Sequence, residues 1–364
     1  MLIGKSQSLI SHYTEPERSR ILRHMSASKV SEEVIVVRLP NWVGDVCMVM
    51  PSLALLSQTG CKLIACGKPF AKPLLHSLPD CHFIGITGSV LKDGRLLRQE
   101  LGHLRATMKG LLFPDSLSSA LTFKLAGIDS LGYRDDGRSL LLRWPINKPA
   151  GSQHAVLKWY GLASQAIRHW GLALQTSIPD KPAPYKHTPD TRDIDQVEQV
   201  LRDHHIHTDE PFILLAPTAT GLHKGQVKVW PGFAALAKAL VEQGHRVVTC
   251  PPAHERLEAL QAAPRAEMLE PLPLGAFAQL ARKARLVVCN DSGVSHVAAL
   301  VGARQITLFG VTDPAHTGPW SPNATCLGEL GAWPDTQTVL SHCVMELGCG
   351  YQPEPRNVPT ESET

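Results

Sequence analysis

Residues 284–310 read ARLVVCNDSGVSHVAALVGARQITLFG, and this stretch sets the fold class. An apolar strand, RLVVCN, ends at Asn290. Asp291-Ser292-Gly293 then makes a tight turn, a helix opens near Val294, and a second apolar strand, QITLFG, follows. Strand, turn, helix and strand in this order form a βαβ unit with parallel strands. Free N–H groups at a helix start attract anions, and glycine lets a phosphate come close. His296 falls in the first helical turn, so its ring could reach the same anion. On the residues alone, Asp291 or Ser292 could equally be an ordinary N-cap and His296 a packed core side chain.

The same alternation extends outward. Around the unit lie FILLAP, GFAALAKALVEQG, RVVTCP, HERLEALQAA and LGAFAQLARKA. The first half alternates likewise: VIVVRL, VCMVMPSLALLSQTG, CKLIACG, PFAKPLLHSLP, HFIGI, RLLRQELGHLRATM, KGLLFP and SLSSALTFKLAG. Proline removes a backbone hydrogen bond, so the second of these is expected to bend at Pro51. A longer helix, HAVLKWYGLASQAIRHWG, follows. Residues 176–193, rich in Pro, Thr and charge, read as a linker. Periodicity weakens beyond residue 320. The expected architecture is α/β: two Rossmann-like domains facing each other across a cleft. The divisions expected are an N-terminal extension (1–33), a first domain (34–180), a linker (181–193), a second domain (194–345) and a flexible tail (346–364).

A net charge of +3 does not call for a nucleic-acid partner. Nine cysteines without a CxxC pair suit a reduced, cytosolic chain rather than a disulfide scaffold. No apolar run reaches the roughly 18 residues of a membrane span. The N-terminal stretch lacks a signal core and cleavage site. It reads as a frayed extension, as residues before a start at Met25, or as a segment whose RSRILRH sits on an acidic membrane surface.

Three further segments bear on chemistry. In FILLAPTATGLHKGQVKVWPGFAALAKAL, residues 212–240, a strand feeds a loop with hydroxyls at Thr218 and Thr220, glycines at 221 and 225, and cations at Lys224 and Lys228. Such a loop suits a diphosphate leaving group; it could also be a solvated basic loop. It is no Walker A sequence, and no GxGxxG follows a strand. In RLPNWVGDVCMVMP, residues 38–51, Asp45 stands where a helix begins. It could cap that helix. It could instead be a carboxylate at the carboxyl edge of a parallel strand, kept ionised by the helix N-terminus and able to take a proton from an attacking hydroxyl. GYRDDGRSLLLR holds Arg134, Arg138 and Arg143, either a charged turn or a basic patch for an acidic acceptor; Lys109 and His154 are further candidates. The acidic pair Asp193 and Asp195 is expected to cap a helix, and His204–His207 to be solvated surface.

NWVGDVCMVMPSL, FPDSLSSALTFKLAGIDSLGYRDDGRSLLL, KVWPGFAALA and NDSGVSHVAALVGARQITLFGVTDPAHTGPW together resemble the bacterial heptosyltransferases, glycosyltransferase family 9, across residues 34–320. The NWVGD form is most similar to the type II lipopolysaccharide enzymes. The resemblance implies a GT-B fold and an inverting transfer of heptose from ADP-L-glycero-D-manno-heptose to a lipopolysaccharide inner-core acceptor of the Kdo-lipid A type. It implies Asp45 as general base. Lys228, or Lys224 in this longer loop, would contact the diphosphate. Asp291, Ser292, Gly293 and His296 would hold the donor with Thr218 and Thr220, and Glu255 the nucleoside ribose. Asn41, Trp42, Lys109, Arg134, Arg138 and His154 would face the acceptor. Neither metal nor cofactor is implied. The enzyme would work in the cytoplasm, peripheral on the inner face of the inner membrane, without nucleic acid. Another nucleotide-sugar or acceptor, or a non-catalytic GT-B-like binding protein, is the alternative. Cys343 and Cys349 read as free thiols rather than a zinc site.

Overall fold

The computed structural model describes residues 33–207, 210–219, 221–223 and 225–348. Two six-stranded parallel sheets organise it. The first holds β1 (Val34–Arg38), β2 (Lys62–Gly67), β3 (Cys81–Gly85), β4 (Met108–Leu112), β5 (Ser130–Tyr133) and β6 (Trp144–Ile146), in the order 3-2-1-4-5-6. The second holds β7 (Phe212–Ala216), β10 (Arg246–Thr249), β11 (Glu267–Met268), β12 (Leu286–Asn290), β13 (Gln305–Leu308) and β14 (Ala324–Leu327). Its order, 11-10-7-12-13-14, repeats the topology of the first. A small hairpin, β8 (Leu222–His223) with β9 (Gln226–Val227), lies outside both. The fold is thus the expected pair of Rossmann-like domains. Every residue of β1, β7 and β12 is buried, because parallel strands are covered on both faces and so read as unbroken apolar runs.

Strand order reverses beside β1 and beside β7, and ligands of such sheets bind beyond the carboxyl ends at those points. The helix Val43–Ser57 follows β1, and the helix Gly293–Leu300 follows β12. They pack together across the gap between the sheets. A Cβ on Gly44 would lie 2.6 Å from Cδ2 of His296, and one on Gly293 would lie 3.2 Å from Cβ of Val43. Glycine at both positions therefore sets how closely the two helix starts approach. One hydrophobic core is continuous through this contact, running from Ile35 and Val37 to Leu214 and Val287. The outer faces of the sheets have separate cores.

Hydrogen bonds reinforce the junction. Ser77 Oγ lies 2.9 Å from Tyr185 Oη and 3.1 Å from His187 Nδ1. The Trp320 indole donates to the Pro182 carbonyl at 3.1 Å.

Some local expectations change. PFAKPLL is a 3-10 helix. Asp190, not the acidic pair after it, caps the helix Thr191–Asp203, accepting from Arg192 N at 3.0 Å. His204 is not solvated surface: its ring nitrogens lie 2.9 Å from Glu267 and 2.6 Å from Glu270. A C-terminal helix, Thr336–Leu347, buries Val339, Cys343 and Leu347 against the second sheet. Burial there pushes the Cys343 thiol up to about 12, which makes it an inert core side chain. Cys349 and most of the N-terminal extension lie outside the described residues.

Replacing Gly44 by alanine tests the junction. In an unobstructed helix this change stabilises by up to about 1 kcal/mol. Here the added methyl meets the buried His296 ring, and overpacking of this kind costs about 1–3 kcal/mol. The thermal midpoint of Gly44→Ala should therefore fall. A rise would mean that His296 can move aside.

Candidate active site

The two carboxyl edges enclose one cavity of about 830 Å³, a size that suits a nucleotide-sized ligand. The first sheet contributes Trp42, Gly44, Asp45 and Phe70; the second contributes Thr218, Lys228, Glu255, Asp291, Ser292, Gly293 and His296.

Asp45 is the third residue of its helix, whose N-cap is Trp42. Its carboxylate has no hydrogen-bond partner among the described residues, so it is not the cap. Burial raises its pKa from the ordinary 3.8 to about 6, against the pull of Lys158 and Lys228. The expected strong ionisation by the helix N-terminus is thus outweighed by desolvation. The loop that carries Asp45 is braced from below. Arg38, buried at the end of β1, donates from Nη2 to Asn41 Oδ1 at 2.7 Å and from Nη1 to the Leu39 carbonyl.

The opposite wall is built around Asn290. This fully buried side chain accepts from Trp230 N–H at 2.8 Å and donates to the Pro217 carbonyl at 3.1 Å. It ties the loop after β7, the Lys228–Trp230 segment and the turn after β12 into one unit. Asp291 Oδ2 accepts from Thr312 Oγ1 at 2.5 Å and from Lys228 Nζ at 3.2 Å. Lys228 is thereby held at the cavity wall. Ser292 caps the helix Gly293–Leu300, its Oγ accepting from Val294 N–H at 3.3 Å. His296 is buried, its Nδ1 has no partner among the described residues, and burial lowers its pKa, which favours the neutral ring. Deeper in, Thr218 Oγ1 donates to Glu255 Oε2 at 2.5 Å. The arrangement offers a basic oxygen on one wall and, facing it, a cation and a helix start suited to negative charge.

Other expected residues lie elsewhere. Lys109 stands at the amino end of β4, away from the cavity, paired with Glu33 at 2.5 Å. Arg138 is fully buried; its guanidinium donates to the Tyr133 carbonyl at 2.8 Å and to the Pro114 carbonyl, and lies 3.5 Å from Asp115. It is a structural clamp, not an exposed patch. Arg134 is exposed at the carboxyl end of β5 but does not line the cavity. His154 spans the two domains: Nδ1 accepts from Val156 N–H at 3.2 Å, so Nε2 carries the proton that it donates to the Gly318 carbonyl at 2.9 Å. Its ring centroid is 4.8 Å from that of Trp320. Asn41 braces the loop rather than lining the cavity. Thr220 and Lys224 lie outside the described residues. Sequence reasoning missed Arg38, Asn290, Thr312 and Lys158. Asn290 and Arg38 carried a signal, each a polar residue closing an apolar strand.

The family profile described as "Glycosyltransferase family 9 (heptosyltransferase)" matches residues 95–345. The chain belongs to glycosyltransferase family 9. It is 26% identical over 332 residues to the lipooligosaccharide heptosyltransferase 2 of Haemophilus influenzae, covering 81% of this chain and 90% of that one. It is 26% identical over 319 residues to the lipopolysaccharide heptosyltransferase 2 of Escherichia coli, covering 80% and 86%. The solved structure of the E. coli ADP-heptose lipopolysaccharide heptosyltransferase II superposes with a TM-score of 0.67 at 23% identity, covering 86% of this chain and 98% of that one. E. coli heptosyltransferase WaaC with ADP gives 0.62 at 20% identity, covering 86% and 99%. The shared fold is GT-B, and this family 9 member is a glycosyltransferase.

The raised pKa of Asp45 has a stability consequence. Its unfolded pKa is the lower one, so between about pH 4 and 6 the unfolded chain binds fewer protons and stability falls as pH rises. Above that window the ionised carboxylate costs on the order of 3 kcal/mol. Asp45→Asn should therefore unfold at a higher temperature than the native protein at pH 7.5, and the gap should vanish near pH 4. Equal midpoints at pH 7.5 would contradict the desolvated carboxylate.

Proposed function

We propose that the protein transfers heptose from ADP-heptose to a lipopolysaccharide core acceptor with inversion at the anomeric carbon. The observation that carries this reading is the single cavity lined by Asp45 from one sheet and by Lys228 with the Asp291–His296 turn from the other. The names of the relatives supply the sugar and the acceptor.

In this mechanism an acceptor hydroxyl attacks the anomeric carbon from the face opposite the diphosphate. Asp45 takes the hydroxyl proton as the new C–O bond forms, and the bond from the anomeric carbon to the diphosphate oxygen breaks. ADP leaves with that electron pair. Lys228 and the N–H groups of the helix Gly293–Leu300 offset the charge that develops on it. Glu255, after strand β10 and bonded to Thr218, would accept from the ribose hydroxyls. A pKa near 6 makes Asp45 a stronger base than an ordinary aspartate while leaving it mostly ionised at neutral pH. Closure of the domains brings base and leaving-group site together and excludes water.

A lipid-anchored acceptor requires work at a membrane surface. Among the described residues no helix is long and apolar enough to cross a membrane; the proposed place of work is the cytoplasmic face of the inner membrane, with peripheral attachment.

Mass analysis of products from ADP-heptose and delipidated core oligosaccharide tests the reading. Asp45→Asn should lower kcat about 1,000-fold, and Lys228→Met on the order of 100-fold. The native kcat/KM should fall roughly tenfold per pH unit below about 6. Turnover of UDP-hexoses with none of ADP-heptose would replace the donor. An unaffected Asp45→Asn would remove the base.

A further inference from the structure

The acceptor wall holds a cluster that the mechanism above does not use. Trp42 is 70% exposed, the highest exposure of any tryptophan among the large hydrophobic side chains at the surface, and it lines the cavity mouth. Water contact with a whole indole face is costly, and a side chain of this size is ordinarily buried in a core or used at a binding surface. Trp42 is also the N-cap of the helix that carries Asp45, held in extended backbone. The indole therefore stands one helical turn from the base, on the same rigid support. Arg38 and Asn41 fix the loop beneath it.

Two neighbours come from the end of the adjacent strand β2. Lys68 Nζ lies 5.9 Å from the centre of the Trp42 ring, within cation–π range. It has no carboxylate partner among the described residues, unlike Lys148 and Lys158, which are committed to Asp115 at 2.9 and 2.7 Å. Phe70, half-buried, lines the same cavity. An exposed aromatic face, a second aromatic and an uncommitted cation thus surround the approach to Asp45.

We propose that Trp42, Lys68 and Phe70 form the acceptor subsite, recognising a pyranose that carries an anionic substituent. The C–H face of the sugar, weakly positive, stacks on the electron-rich face of the indole. Lys68 pairs with the carboxylate or phosphate of the same or the next residue, and Phe70 closes the apolar side. The stacked ring presents a hydroxyl to Asp45. This subsite rests on the glycosyl-transfer reading above and adds to it how the acceptor is chosen: Trp42, already expected to face the acceptor, acts as an aromatic platform, and Lys68 with Phe70 takes the place of the expected arginine patch.

The experiment varies delipidated core oligosaccharide at saturating ADP-heptose and measures ADP affinity separately by calorimetry. Trp42→Ala should raise the acceptor KM at least tenfold and leave ADP affinity within twofold of native. Trp42→Phe, which keeps an aromatic face, should recover most of the loss. Lys68→Met should raise KM several-fold for the native oligosaccharide. It should have no effect with a substrate whose carboxylates are esterified or whose phosphates are removed; whichever treatment cancels the effect identifies the anion. An acceptor KM for Trp42→Ala within twofold of native overturns the subsite. A Lys68→Met effect that persists on oligosaccharide lacking both kinds of anion overturns the charge pairing. If the native enzyme turns over no ADP-heptose, the donor reading fails instead. The subsite is then read by saturation-transfer NMR with the oligosaccharide alone, where Trp42→Ala should lose the signal and an undiminished signal overturns it.

Discussion

Everything at the cavity depends on how closely two helix starts can approach. One helix begins after β1 and the other after β12, and they meet at Gly44 and Gly293. Side chains at either position would wedge the domains apart. With glycine there, the His296 ring sits against the backbone of the opposite domain, and the two hydrophobic interiors become one. The same contact brings a carboxylate from one half opposite a lysine from the other. Packing and chemistry are therefore set by one steric condition.

That closeness also governs the charges. Burial removes Asp45 from water, and the resulting loss of hydration is larger than the help from Lys158 and Lys228. Lys228 meanwhile is anchored by Asp291, which is itself held by Thr312. The two sides thus differ in character. The donor wall ties Lys228, Asp291 and Thr312 together by hydrogen bonds, whereas among the described residues the acceptor wall leaves the Asp45 carboxylate without a partner. Unsatisfied groups of this kind cost stability and are kept where a substrate is to supply the missing contact.

The architecture was readable from the sequence because each inner parallel strand is apolar on both faces. VIVVR, FILLA and LVVCN stand out as unbroken runs. The helix Thr336–Leu347 escaped notice since its buried side is only Val339, Cys343 and Leu347 on an otherwise polar segment. At the site, the Asp291–Gly293 turn was legible because a capping serine and a glycine act within a few residues. The arginine patch was misjudged for the opposite reason. Whether Arg138 is exposed depends on Asp115 and Pro114, and whether Lys109 is free depends on Glu33, which lies 76 residues away in the chain. Local pattern says nothing about such pairings. The ionisation of Asp45 likewise depends on residues from the other half of the chain.

The side chain of Asn290 has a further consequence. It fastens both ends of the long connection after β7 to the turn after β12, and both of its bonds are shielded from water. Bonded in this way, these segments have no cheap way to slide past one another. The grip on the phosphates would then travel as a single jaw, already shaped before the ligand arrives. Selection of the donor would rest on a preformed mould, and the adaptable surface of the enzyme would be the opposite rim.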